Sequence, residues 1–234
     1  GWWNCEPGTN PGFLYQQNTI RDALIAGISL NIFNGHADRI HMANIAQTVN
    51  VLQAMVLTEG PKMVLTPTYH VFDMYKVHQD ATLLPLFSDF ERIEECGVSI
   101  PALSASASRD AAGRTHLSLC NLSASKEAAV EVELRGAAAP KGASGRVLAA
   151  PKTDSRNDFA HPNAVAPAAY EARVEGGRLE AKLPPMSKRS RINMARQVLR
   201  SDSPHMGKPA AVSRELPTIR LVTSRRSGLS GSPS

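Results

Sequence analysis

The 234-residue sequence predicts an α/β segment, then an all-β segment, then a polar basic tail. Three observations predict it. Residues 1–80 place a short apolar run between two stretches of helical period. From Ala81 onward, short stretches alternate apolar with polar residues and no helical pattern interrupts them. Past Ser187 the periodicity is lost and the charge balance changes sign.

Residues 1–18 read as loop, with Pro7-Gly8 and Pro11-Gly12 as turn signals. Residues 19–34 read as a helix. Thr19 and Asp22 form a near capping box, Ile20, Leu24 and Ile28 recur at helical spacing with Ala23 and Gly27, and Gly35 stands at the C′ position. The stretch from His36 to Gln53 organises this part of the chain. A charged turn (His36, Asp38, Arg39) leads into the apolar run 40–46, which stops at Gln47, Thr48, Asn50 and Gln53. Between helical patterns such a run reads as a buried parallel strand. Residues 48–58 with Glu59-Gly60-Pro61 form the loop out of it. A second helix is expected from Thr66, with Pro67 at N1, to about His78, and its Val71, Phe72, Met74 and Tyr75 face the strands.

Strands are expected at residues 98–100, 102–108, 116–122, 129–134, 145–149 and 178–183. Turns fall at Asp110, Gly113, Gly136, Gly142 and Gly176-Gly177. Val130, Val132 and Leu134 alternating with Glu131 and Glu133 make the cleanest amphipathic strand. The series reads as an antiparallel sandwich over residues 81–187. Residues 188–234 carry ten basic and two acidic residues, a balance of +8, whereas residues 1–187 carry 16 basic and 19 acidic, a balance of −3. A serine-, proline- and arginine-rich segment without period cannot bury enough surface to offset its ordering entropy. The tail is therefore expected to be disordered, the product of a shifted reading frame in place of a final strand, and the sandwich to be one strand short.

Three widely spaced cysteines (Cys5, Cys96, Cys120), none in a CxxC, argue against a disulfide framework or zinc site and fit a reducing cytoplasm. The seven histidines show no metal-ligand spacing, so neither a metal nor any other cofactor is expected. No apolar run reaches the roughly 20 residues of a membrane span. The positive charge belongs to the tail and is no nucleic-acid footprint for the folded part.

A strand ending in amide side chains places groups that both donate and accept at the carboxyl end of a sheet, where α/β folds bind ligands. Gln47 and Asn50 there suit a neutral, polyhydroxylated ligand such as a sugar. The same side chains serve equally to cap a helix or satisfy buried backbone. Trp2 and Trp3 are the only tryptophans. An indole face stacks on the C–H face of a sugar ring, or simply covers a rim.

Three blocks carry a resemblance: GWWNCEPGTNPGFLYQQNTIRDALIAG, HADRIHMANIAQTVNVLQAMVLTEG and MVLTPTYHVFDMYKVHQDATLLP. They resemble the C-terminal part of family-51 α-L-arabinofuranosidases, which are retaining glycoside hydrolases, and the similarity runs from Gly1 to about Ser187. The resemblance implies that residues 1–80 are the last helix–strand–helix of a (β/α)8 TIM barrel and that residues 81–187 are its jelly-roll-like β-sandwich. It also implies a homo-oligomeric parent enzyme acting on terminal arabinofuranosyl groups of arabinan or arabinoxylan oligosaccharides. Retaining glycosidases use two carboxyl groups about 5–5.5 Å apart. The family nucleophile is the Glu of an Asp-Glu-Trp tripeptide expected just before Gly1, and the acid/base is the Glu of an Asn-Glu pair, a dipeptide that occurs nowhere in this chain. What the resemblance leaves here is the site lining. Gln47 matches a glutamine that hydrogen-bonds the arabinofuranosyl ring, Trp3 matches a tryptophan of the substrate loop, and Asn50 reads as structural.

Two other functions compete. A non-catalytic sugar-binding module needs an aromatic platform, for which Phe87, Phe90, Phe159 and Tyr170 are too scattered. A nucleic-acid-binding protein would rest wholly on residues 188–234, and loss of a salt-dependent affinity on deleting them would favour it.

Overall fold

A computed structural model describes residues 18–51, 54–95, 97–123, 125–136, 142–175, 178–185, 188–194 and 216–223. Helix α1 spans Ile20–Gly35 and opens on the capping box read from the sequence, with the Thr19 amide donating to the Asp22 carboxylate at 2.8 Å. Helix α2 spans Pro67–Tyr75 and continues as a 3-10 turn over Lys76–His78. Its N-cap is Thr66, whose hydroxyl accepts from the Tyr69 amide at 3.3 Å, and Pro67 stands inside the first turn as expected. Ile20, Ala23 and Leu30 of α1 meet Val71 and Met74 of α2 in one apolar cluster, which Leu148, Ala150 and Val165 from further along the chain complete.

The segment between the helices departs from expectation. Residues 40–46 form no strand: no regular element covers them, and Met42 is 75% exposed. A parallel strand is held only by neighbours that take up its backbone groups on both sides. The described residues bring no such neighbour to this run. The pairing occurs later, where β1 (Val56–Glu59) and β2 (Lys62–Leu65) form an antiparallel hairpin closed by Gly60-Pro61, with Gly60 at a φ of 55°.

From Thr82 the described residues are mostly antiparallel β-structure, with one parallel pair between the last strand and residues 86–89. The strands are β3 (Thr82–Leu83), β4 (Leu86–Asp89), the separate hairpin β5 (Arg92–Glu95) with β6 (Val98–Pro101), then β7 (Leu103–Arg109), β8 (Thr115–Asn121), β9 (Ala128–Arg135), β10 (Ala143–Ala149), β11 (Pro167–Glu175), β12 (Arg178–Leu183), β13 (Lys188–Met194) and β14 (Thr218–Thr223). Ten of them hydrogen-bond in the order β3-β7-β8-β13-β10-β11-β12-β9-β14-β4. Strand β11 turns the corner, since residues 167–172 pair with β10 and residues 173–175 with β12. The ladder thus doubles back on itself. Leu117 and Leu119 of β8 share one buried cluster with Val130 and Val132 of β9, which lies five places away in the order. Two layers closed on one apolar core make the expected β-sandwich.

The tail needs correction. Two of its segments are strands of this sheet, not disordered chain. β13 lies between β8 and β10, paired on both sides, and β14 lies between β9 and β4. Ile219 and Leu221 are fully buried. The sandwich is therefore not a strand short. TIRLVT is rich in β-branched residues and alternates in and out, so it joins the core although the composition around it is polar. β11 is not legible in the sequence, because its alanines mask an alternation of Tyr170, Ala172 and Val174, the side chains packed on the core.

The helices sit on the outer face of β7 and β8, where serines alternate with the inward leucines and alanines. Asn31 Nδ2 donates to Ser104 Oγ at 3.1 Å, Asn34 Nδ2 to Ser106 Oγ at 2.5 Å, and the Tyr75 hydroxyl to Leu30 O at 2.9 Å. The His78 ring nitrogens lie 2.6 Å and 2.7 Å from the hydroxyls of Ser108 and Ser118. The buried Cys120 has its sulfur 3.8 Å from Asn31 Nδ2. At the end of this face His116 Nε2 is 3.0 Å, and Arg114 Nε 2.7 Å, from the Asp110 carboxylate. Burial pushes that carboxyl up, but hydrogen bonds from His116 and from the amide and guanidinium of Arg114 outweigh it and hold it at about 2.

Two outcomes test this architecture. Leu221→Ala should destabilise the chain by about 2–5 kcal/mol in urea unfolding, as truncation in a closed core does; a disordered tail would show almost no change. A carboxyl held at about 2, below the unfolded value near 3.9, stabilises the fold fully above about pH 4. That stabilisation, on the order of 2 kcal/mol, disappears as pH falls through 2. Asp110→Asn should therefore lower stability at pH 6 and flatten the pH dependence between about pH 4 and pH 2.

Candidate functional site

The candidate site is built on the chain that leaves α1. A turn closes at His36, whose carbonyl accepts from the Arg39 and Ile40 amides at 3.0 and 2.8 Å. Residues 40–47 then run along the surface, and the peptide between Ala46 and Gln47 is cis. Gln47 is exposed. Directly after it the backbone is closed: Thr48 O accepts from the Met55 amide at 3.0 Å and the Val56 amide at 3.1 Å, and the Asn50 amide donates to Val56 O at 3.1 Å.

Asn50 is structural. Its backbone is left-handed, with φ 59°, a conformation asparagine tolerates better than most residues. Its side chain accepts from the Thr58 amide at 2.7 Å and donates to the Thr58 hydroxyl at 2.9 Å and carbonyl at 3.2 Å. The loop is thus fastened by Thr48 and Asn50 while the Gln47 amide next to them stays open to solvent. Val49 and Val51, 44% and 39% exposed, lie on the same loop and give it an apolar margin. Trp3, the second lining residue expected, lies outside the described residues, as do Trp2, Cys5 and Glu6.

The loop is fastened from beneath by Thr66. This buried hydroxyl donates to Ala54 O at 2.7 Å while its amide donates to Met55 O at 3.0 Å. Asn157 adds a contact that the sequence did not signal. From the loop between β10 and β11 its side-chain amide reaches Leu65 O at 2.8 Å. Nothing local marks Asn157, because its partner lies in another part of the fold.

The loop can donate and accept hydrogen bonds, but it carries no carboxylate of its own for proton transfer. Residues 39–58 contain no Asp or Glu. Among the described residues no group of three or more His, Cys, Asp or Glu side chains could hold a metal ion. None of the described helices is long and apolar enough to cross a membrane.

The fold, a helical pair backed by a sandwich, is shared with solved glycoside hydrolases. The arabinofuranosidase of glycoside hydrolase family 51 from Xanthomonas axonopodis pv. citri superposes with a TM-score of 0.77 at 45% identity, over 83% of this chain and 39% of that one. An arabinose-bound α-L-arabinofuranosidase from Thermotoga maritima shares the fold at 22% identity, with a TM-score of 0.64 over 82% of this chain and 41% of its own. Residues 1–187 match the family model described as the α-L-arabinofuranosidase C-terminal domain, and the chain belongs to that family. A curated relative, the intracellular exo-α-L-arabinofuranosidase of Bacteroides ovatus, is 47% identical over 188 residues. That match takes in 80% of this chain and 36% of the relative, so the chain spans about a third of the relative's length.

Proposed function

We propose that this chain is the C-terminal part of an α-L-arabinofuranosidase that releases terminal, non-reducing α-L-arabinofuranosyl groups from arabinan and arabinoxylan oligosaccharides with retention of configuration. On this reading residues 1–80 belong to the catalytic (β/α)8 barrel and the sandwich follows from residue 81. Both catalytic carboxylates come from outside these 234 residues. Gln47 hydrogen-bonds the sugar ring and Trp3 lines the same subsite. The observation that carries the reading is an exposed amide on a loop whose backbone is otherwise fastened by Thr48, Asn50 and Thr66. Such a group meets a neutral hydroxylated ligand without a loop rearrangement. No cofactor takes part. The partners are arabinofuranosyl oligosaccharides, not nucleic acid or membrane, and the parent enzyme is a homo-oligomer. A cytoplasmic location is supported by the reducing-compartment cysteine pattern and by the word intracellular in the name of the Bacteroides ovatus relative.

Two measurements test this. The chain alone should give no turnover of an aryl α-L-arabinofuranoside, since losing both carboxylates leaves little beyond binding; turnover at the level of a complete enzyme would refute it. Joined to a complete family barrel, the Gln47→Ala variant should lose about 1–3 kcal/mol of transition-state stabilisation in kcat/KM with an unchanged Tm. Unchanged kcat/KM, or a large fall in Tm, would make Gln47 structural.

A further inference from the structure

We propose that Asn157 is a positioning residue, through which the sandwich holds the loop that carries Gln47. The inference rests on the reading of that loop as the sugar-contacting element.

The loop between β10 and β11, residues 150–166, crosses back over the helical part. Its carbonyls at Thr153 and Ser155 accept from the Arg21 and Ile20 amides at 3.2 and 2.9 Å, at the start of α1. Within this strap Asn157 is 2% exposed and every hydrogen-bonding group of its side chain is engaged. Oδ1 accepts from the Val165 amide at 2.7 Å, and Nδ2 donates to Val165 O at 2.9 Å and to Leu65 O at 2.8 Å. Val165 is itself fully buried in the cluster shared with the helices. Asn157 is thus fixed to the strap on one side and has one N–H left to direct outward.

That N–H begins a relay of peptide groups. The Leu65 carbonyl it reaches shares a peptide with the Thr66 amide, which donates to Met55 O at 3.0 Å. The Met55 carbonyl shares a peptide with the Val56 amide, which donates to Thr48 O at 3.1 Å. Thr48 directly follows Gln47. Each peptide accepts on one side and donates on the other, so each bond polarises the next. The relay runs from a residue of the sandwich to the neighbour of the sugar-contacting glutamine. Arg146 of β10 also ties the sandwich to the helices, at 2.8 Å from Asp73, but takes no part in the relay.

Hydrogen exchange on the full chain tests the proposal. Asn157→Ala should speed exchange of the Thr66 and Val56 amides roughly tenfold, the loss of one buried hydrogen bond, while Leu119 and Val132 in the sandwich core keep their protection. Arg146→Ala should leave Val56 unchanged. The proposal fails if Asn157→Ala leaves Val56 unchanged, if it speeds Leu119 and Val132 by the same factor, or if Arg146→Ala speeds Val56 equally. Should Asn157→Ala not fold, the unsubstituted chain decides. Thr66 and Val56 must then exchange through one opening with a common denaturant dependence, and separate openings would overturn the relay. None of these readouts involves sugar, so a failure of Gln47 as the sugar contact would appear separately, in kcat/KM.

Discussion

The structure depends on a polar seam. One face of β7 and β8 closes the sandwich core with Leu103, Ala107, Leu117 and Leu119. The other presents hydroxyls and a thiol to the helices. Amides from Asn31 and Asn34 and the His78 ring lie against it, and the Tyr75 hydroxyl ties α2 to α1 through Leu30 O. An apolar seam would let helices slide, because dispersion and the hydrophobic effect have little directionality. Hydrogen bonds fix register, since a buried donor left unpaired costs about 1–3 kcal/mol. Short serine side chains let the helices come close, and the two-residue period of the strands keeps hydroxyls outside and apolar groups inside. Asp73, held below the usual carboxylate range chiefly by the hydrogen bond from Lys76, adds a charged tie from α2 to Arg146 of β10.

Legibility followed where each element gets its order. Both helices could be read because their signals are local: the Thr19–Asp22 box and the Thr66-Pro67 start lie within one turn of the backbone they serve. The strands β7, β8, β9 and β12 could be read because apolar side chains on the core face alternate with polar ones on the other, so the two-residue period shows. The run at 40–46 misled because apolarity alone does not make a strand; pairing does, and the pairing partner is a matter of fold. β13 shows the reverse. KRSRINM carries no alternation, yet it is paired along both sides, because a ladder is made of backbone groups that every residue other than proline supplies.

The site divides in the same way. Amide side chains where an apolar run stops mark a polar loop, and the sequence shows that much. Which amide is held and which is free does not follow from it. Asn50 and Gln47 are three residues apart and chemically alike, but a left-handed backbone and Thr58 engage one, while the other faces solvent. The anchoring from Asn157 lies further still from any local signal, joining residues separated by most of the sandwich in the chain.

The place of β14 carries a consequence for synthesis. It separates β9 from β4, and its Ile219 pairs in parallel with Leu86, near the start of the sandwich. Nearly every other strand of the domain is made between those two residues. Until residues 218–223 leave the ribosome, β9 has an open edge, β4 has no partner in the sheet, and the core lacks two of its fully buried side chains. Non-local closure of this kind folds slowly, and the open edges invite pairing with other chains meanwhile. The sandwich core therefore stays incomplete until residues 218–223 have been made, long after the β4 strand they pair with.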